Sequence, residues 1–252
     1  MLSIIIPTLN EEDYLPRFLK EIKKQDFNDY EIIIADANST DKTVEIAKEF
    51  GCRVVQGGVP AKGRNEGVKV AKGELLLFMD ADNFYLPDNF FEKILSEFKE
   101  RDLDAAYFPI TVDGNKIDEI ILWGYNFWTK LSQDFLPHAC NSILAKKTIH
   151  QKINGFDEEI VLAEDHEYVR EVGRCGKFGY IELDNPVLTS DRRTRRDGSV
   201  KTYIKYFFAG LYMLFIGPIK SDIFNYRFYN QKRRSKTKKI KKFIKHSLRF
   251  YD

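Results

Sequence analysis

The chain has 252 residues, 43% of them hydrophobic, enough to bury a substantial core as one large α/β domain or as a domain with an appendage. Its net charge of +2 hides an asymmetry: eleven Lys or Arg and no acid lie between Arg227 and Arg249, which leaves an acidic body ahead of a basic tail. Cys52, Cys140 and Cys175 are odd in number, far apart and without Cys-x-x-Cys spacing, which argues against a zinc site or a disulfide framework and for incidental thiols in a reducing compartment.

In chain order, Leu2 to Pro7 reads as a buried strand, and the start lacks the basic and long apolar regions of a signal peptide, so a cytoplasmic body is expected. Thr8 to Glu12 leads into a helix through about Gln25, with Leu15, Phe18, Leu19 and Ile22 on one face. Glu31 to Asp36 is a second buried strand. Asn38-Ser39-Thr40-Asp41 supplies turn and cap chemistry for a helix carrying Val44, Ile46, Ala47 and Phe50, which Gly51 stops. Arg53 to Gln56 is a third strand, and Lys62-Gly63-Arg64-Asn65-Glu66-Gly67 opens a helix to Ala71. Next come five apolar residues, Leu75 to Met79, followed by Asp80-Ala81-Asp82. If the chain stays extended, Asp80 and Asp82 point to one side, where a single divalent cation can touch both. The competing reading is an ordinary acidic turn. Repeated βαβ units imply an α/β fold with a mainly parallel sheet covered on both faces.

Four polar clusters then fall at strand ends: Thr8 to Glu11, Asp36 to Asp41, Lys62 to Asn65, and Asp80 to Asp82. They are expected to converge on the carboxyl edge of the sheet, where such folds bind ligands. A pyrophosphate suits a site in which a metal-binding acid pair stands beside Arg64, because a cation and a guanidinium share its charge. Glu11 and Asp36 can accept hydrogen bonds from a ribose or a base edge; helix capping alone also accounts for Asn10, Ser39 and Asp41. The Gly-x-Gly-x-x-Gly dinucleotide fingerprint and the phosphate loop are both missing.

The second half is less regular. Pro87 to Glu100 reads as an amphipathic helix with Pro in its first turn, and Ala105 to Val112 as one strand. Ile117 to Leu131 is helical and apolar nearly all round, so its aromatics, Trp123 and Trp128 included, are expected in the core, with stacking on a saccharide or a lipid as the alternative. His138 and Cys140 precede the strand Ser142 to Ala145 without metal-ligand spacing. A helix from Lys146 to Ile153 and a turn at Asn154 to Asp157 precede Glu164-Asp165-His166-Glu167, which opens a helix to Arg174. The helix dipole there favours an ionised Asp165; a simple capping acid is the alternative, and His166 reads as an exposed helical residue. Asp191 to Gly198, with Arg192 and Arg193, reads as a basic loop that closes over a diphosphate, meets lipid headgroups or simply stays solvated. The uncharged run Tyr206 to Ile219 is too short to span a bilayer and is expected in the interface or as a hairpin. Gln231 to Tyr251 has the pattern of a basic amphipathic helix suited to an anionic membrane rather than to nucleic acid.

Six segments in this order carry a resemblance: Ile6-Pro7-Thr8-Leu9-Asn10-Glu11, Asp36-Ala37-Asn38-Ser39-Thr40-Asp41, Gly63-Arg64-Asn65-Glu66-Gly67, Asp80-Ala81-Asp82, Asn154-Gly155-Phe156-Asp157-Glu158 and Glu164-Asp165. Together they resemble the family two inverting glycosyltransferases of the GT-A fold over roughly residues 2–190. The resemblance implies a GT-A domain over residues 1–190, with a nucleotide-sugar part to about 112 and an acceptor part from 113; the basic and aromatic composition beyond it is expected to make residues 191–252 a membrane-associating extension. It implies a UDP- or GDP-sugar donor held by Pro7, Thr8, Asn10, Glu11, Asp36, Ser39, Lys62, Arg64, Asn65, Asp80 and Ala81. A Mn or Mg ion would sit on Asp82, directly, and on Asp80, and Asp165 would be the catalytic base. The acceptor, a saccharide or a lipid-linked hydroxyl, would meet Glu164, His166, Trp123, Arg192 and Arg193. Polyprenyl-phosphate glycosyltransferases are the alternative, although the Gln they commonly carry two residues after Asp-Ala-Asp is Phe84 here. A nucleotidyltransferase is a competing enzyme, but its Gly-rich, Arg-containing loop after the first strand is not here, and a non-catalytic membrane- or nucleic-acid-binding module is the alternative of another class.

Overall fold

The computed structural model describes residues 1–224, so the basic helix expected over residues 231–251 lies outside the described part. Among the described residues the core is a seven-stranded sheet in the order β3-β2-β1-β4-β8-β6-β9. Its first half is β1 (Leu2–Thr8), β2 (Tyr30–Asp36), β3 (Arg53–Gln56) and β4 (Leu75–Met79), all parallel. Their isoleucines, leucines and valines fit strands buried on both faces, and Ile4, Ile5, Ile6, Ile33, Ile34, Leu76 and Leu77 are all fully buried. Pro7 is tolerated in the central β1 because the ladder to β4 ends at the Ile5–Phe78 pair, before its missing N–H is needed.

The helices α1 (Leu15–Lys24), α2 (Thr43–Glu49) and α3 (Pro60–Val70) form the crossovers. α3 lies very close to β1 because Gly63 and Gly67 share one helix face. A Cβ at Gly63 would stand 3.2 Å from Pro7 Cβ, and one at Gly67 would collide with Ile5 Cγ2. Arg64, next to the first of these glycines, is thereby carried to the carboxyl end of β4.

The other half departs from the parallel pattern. β8 (Ser142–Lys146) is antiparallel to β4 and to β6 (Ala105–Tyr107), and β9 (Phe178–Tyr180) closes that side parallel to β6. The reversal puts the amino end of β8 beside the carboxyl end of β4, where Met79 pairs with Ser142. A second sheet of β5 (Asn83–Tyr85), β10 (Val187–Thr189) and β7 (Ile110–Val112) sits at that same edge.

Several expectations change. Asp80 and Asp82 are not on one extended strand: β4 stops at Met79, the chain turns at Ala81 and Asp82, and β5 begins at Asn83. The stretch Ala105 to Val112 is two strands in two sheets, interrupted at Phe108 and Pro109. Pro87 precedes rather than opens its helix, α4 (Phe90–Glu100), whose N-cap Asn89 is left-handed with φ 56°. The basic segment is not a loop but the short helix α8 (Arg192–Asp197), followed by α9 (Ser199–Phe215). α9 packs Ala209 and Met213 against Leu162 and Ile219, and no helix among the described residues is long and apolar enough to cross a membrane.

The largest correction concerns α5 (Lys116–Ser132). It was expected in the core, yet Trp123 is 70% exposed, and Ile120, Phe127, Trp128 and Leu131 also face outward. The inward side combines Leu122 and Tyr125, packed on the core, with polar anchors. Asn126 bonds both the N–H and the C=O of Ile110, and Asn115 caps the helix by accepting from Ile117 and Asp118. The remaining helices are α6 (Lys147–Lys152) and α7 (Glu164–Cys175). All three cysteines are free thiols, Cys175 exposed and the others half-buried.

Candidate functional site

The site is built where the carboxyl ends of β1, β2 and β4 meet the amino ends of β8 and α7. Its first part is the loop after β1 locked to the loop after β2. Thr8 Oγ1 donates to Asp36 Oδ1 at 3.0 Å, Ser39 donates its hydroxyl and its N–H to the same carboxylate, and Ser39 Oγ accepts from Asn10 N at 2.8 Å. Asn10, at φ 56°, in turn accepts from Thr40 N. Asp41 accepts from Thr43 N and Glu12 N, so it serves the turn rather than a pocket. A buried, fully engaged Asp36 between two loop ends is a rigid acceptor platform.

Two arginines organise the carboxylates. Arg64, 3% exposed, reaches Asp80 at 2.9 Å with one nitrogen and Glu164 at 2.6 Å with the other, with its guanidinium 5.3 Å above the Phe156 ring. It therefore ties the end of β4 to the start of α7. Arg192 is the counterpart on the other side: it spans Glu11 at 2.7 Å and Asp82 at 2.9 Å and stacks over Tyr14. The residues assigned to an extension beyond 190 thus reach back into the site.

Electrostatics follow from this crowding. Burial pushes Glu11 up to about 7, against the pull of Arg192. Asp80 rises to about 6; loss of water is the largest cause, Arg64 opposes it, and Asp82, Glu164 and Asp165 repel further. Since its side chain keeps 37% exposure, the repulsion is the firmer part of that rise. Asp165 sits in the first turn of α7, where both oxygens accept backbone N–H groups, from Asn141 at 3.2 Å and from His166 at 2.9 Å. The dipole does not hold it fully ionised as expected: burial and the neighbouring Glu164 push it up to about 7 in spite of Arg64. His166 is half-buried rather than exposed. Its ring packs 5.2 Å from His138 and 6.2 Å from Tyr125, and burial lowers both histidines to about 4.

Asn141 was not anticipated. Its Oδ1 accepts from Asp80 N at 3.1 Å, its backbone N–H donates to Asp165, and its Nδ2 donates to Thr189, whose hydroxyl lies 3.5 Å from Asp82. One residue thus joins both acidic centres. The only signal in the sequence was an Asn just before a strand, a turn residue that tolerates the left-handed φ of 70° it adopts here. Three sequence-assigned residues fall elsewhere. Asn65 uses its whole amide on Phe156 N, Phe156 O and Glu158, clamping the Asn154–Asp157 turn. Lys62 points into solvent beside Gly58, and Trp123 lies on the outer face of α5. Ala81 is buried at the turn itself, and Arg193 donates to Tyr206 Oη at 2.5 Å.

The oxygen-only set Glu11, Asp80 and Asp82 has the chemistry of a hard divalent cation site. Their mutual repulsion is what such a charge relieves, and Arg64 and Arg192 balance it here. Among the described residues no three of His, Cys, Asp and Glu converge as a finished metal cage.

Comparison with known proteins agrees with this geometry. A glycosyltransferase of unassigned substrate from Haemophilus influenzae is 25% identical over 221 residues, 80% of this chain and 71% of that protein. The solved structure of Staphylococcus aureus TarS (residues 1–349) with UDP-GlcNAc superposes with a TM-score of 0.63 at 22% identity, over 76% of this chain and 59% of that one. The mannosyltransferase PcManGT from Pyrobaculum calidifontis, solved with GDP-Man and Mn2+, gives a TM-score of 0.60 at 16% identity, over 83% of this chain and 64% of that one. These likenesses show the GT-A fold, and this chain spans less than two thirds of either solved chain. The model described as "Glycosyl transferase family 2" matches residues 3–165, which runs from β1 through Asp165, and the chain belongs to that family.

Proposed function

We propose that the protein is a metal-dependent inverting glycosyltransferase that moves a sugar from a nucleoside-diphosphate donor to a hydroxyl acceptor. The observation that supports this most is the Asn141 hub, because it couples the acid pair after β4 to a second carboxylate of different surroundings. Such a division suits one centre that handles the leaving diphosphate and another that handles a proton.

On this reading the nucleoside rests against Thr8, Glu11 and Asp36, with the Thr8–Asp36–Ser39 network keeping the acceptor oxygens in place. Asp82 and Asp80 would hold a magnesium or manganese ion, which would offset charge on the diphosphate. Arg192, which bridges Glu11 and Asp82, would supply a guanidinium to phosphate oxygens of a bound donor. Arg64 keeps Asp80 and Glu164 at fixed separation throughout. Asp165 takes the proton of the acceptor hydroxyl as that oxygen attacks the anomeric carbon from the face opposite the departing diphosphate.

The basic tail and the aromatic segment before it support a peripheral place at an anionic membrane, with about 1 kcal/mol per basic residue near the surface, and an acceptor located there. NMR of the product formed from a nucleotide-sugar screen tests the chemistry. The expectation is one anomer of inverted configuration, abolished in Asp165→Asn while donor binding persists. Retained configuration, or a phosphate acceptor glycosylated equally well by Asp165→Asn, would refute the hydroxyl-directed base.

A further inference from the structure

The described surface is unusual in where its apolar residues lie. Of seventeen exposed large hydrophobic residues, fifteen belong to α5, to α9 or to the segments that leave them; only Met1 and Val59 stand elsewhere. On α5, Trp123, Phe127 and Leu131 recur at helical spacing on the outer face, with the Trp123 and Phe127 rings stacked 6.0 Å apart. On α9, Phe207, Phe208 and Phe215 do the same, Phe215 being 79% exposed. Contiguous apolar surface of this kind marks a partner rather than a solvated face.

The two helices begin side by side. Asn115 donates to Ser199 Oγ at 3.0 Å, and Thr194, just ahead of α9, donates to Asp118 at 3.0 Å. Both also border the acceptor-side carboxylate: Tyr125 of α5 packs on His166, and α9 packs on Leu162 and Ala163, which lead directly to Asp165. Charge narrows the partner. From Gly198 to Ile219 there is no acid, α9 carries Lys201 and Lys205, and eleven Lys or Arg follow in the tail. A second copy of this chain would bring like charge to like, whereas an anionic lipid surface complements it.

We propose that the outer faces of α5 and α9 are the membrane-contacting surface of this protein, seated in the headgroup region of an anionic bilayer with Asp165 behind them. This rests on the peripheral membrane reading and adds a surface that the tail alone does not supply.

The chain contains a built-in probe, since both its tryptophans are exposed on α5, Trp123 on the outer face beside Phe127 and Trp128 on the flank beside Phe135 and His138. The full-length protein is mixed with phosphatidylglycerol–phosphatidylcholine vesicles, with and without brominated acyl chains. Binding should shift tryptophan emission to the blue and expose it to bromine quenching. Trp123→Ser with Phe127→Ser, two exposed sites whose change leaves the fold intact, should weaken partitioning about tenfold, with Trp128 reporting the remainder. Vesicle binding without any emission change would mean that the tail alone holds the protein and would overturn the assignment. So would absence of binding, or a blue-shifted emission that depends on protein concentration without lipid, which would reveal self-association. UDP and GDP binding by the same preparation is independent of these outcomes, so the glycosyltransferase reading stands or falls separately.

Discussion

Asp165 carries the sharpest expectation at the level of single residues. A carboxylate held near 7 by burial accepts a proton only above that value, so activity should rise with pH through about 7 and, below it, fall about tenfold per pH unit. A pH profile of kcat/KM measures this, and a flat profile down to pH 5 would remove Asp165 from the role. Asp165→Asn should cost about two to four powers of ten in kcat with little change in donor affinity. Arg192 gives an independent expectation. Because it already neutralises Glu11 and Asp82, Arg192→Ala should tighten Mn2+ binding in the absence of nucleotide, by about tenfold, as read from the free-ion EPR signal. Unchanged Mn2+ affinity would mean that the cation does not compete with this guanidinium. The residues of the acid pair, Arg64 and the Glu164-Asp165 pair were all legible because short polar motifs at strand ends stand out against apolar runs. Asn141 was not, since its importance comes from partners 61 and 24 residues away in sequence.

Elements explain which parts of the chain were readable. β1, α1, β2, α2, β3, α3 and β4 follow one another with unbroken periodicity, and β1 pairs with β2 and β2 with β3, so local pattern sufficed there, while β4 returns to β1 as repeated right-handed crossovers require. β8 is different: its antiparallel place between β4 and β6 is a long-range choice that no local pattern states, yet it brings Asn141 to the site. α5 misled because an apolar helix is normally buried, and its own sequence does not say that the face turned to the sheet is anchored by Leu122, Tyr125 and the bonds of Asn126 to Ile110. The glycines of α3 are the element-level test. Gly67→Ala sets a methyl against the fully buried Ile5 and should cost about 1–3 kcal/mol in urea unfolding; it should also lower activity by shifting Arg64. An unchanged midpoint would show that the helix-to-strand approach tolerates relaxation. Asn65→Ala should loosen the Asn154–Asp157 turn by about 1–3 kcal/mol, because Phe156 N–H and C=O lose their partner.

Among the described residues, five carboxylates meet at one sheet edge, and most of the exposed large hydrophobic residues lie on two helices beside them. Repulsion among Glu11, Asp80, Asp82, Glu164 and Asp165 is balanced by Arg64 and Arg192, and on the proposed reading a cation and a diphosphate would enter by exchanging with those contacts. The most direct test of that account is calorimetry of the full chain with UDP and GDP, with and without Mn2+. The account predicts binding of at least one of the two that requires Mn2+ and disappears in Asp82→Ala. Failure of both nucleotides to bind, or binding that neither needs the metal nor suffers from Asp82→Ala, would contradict it.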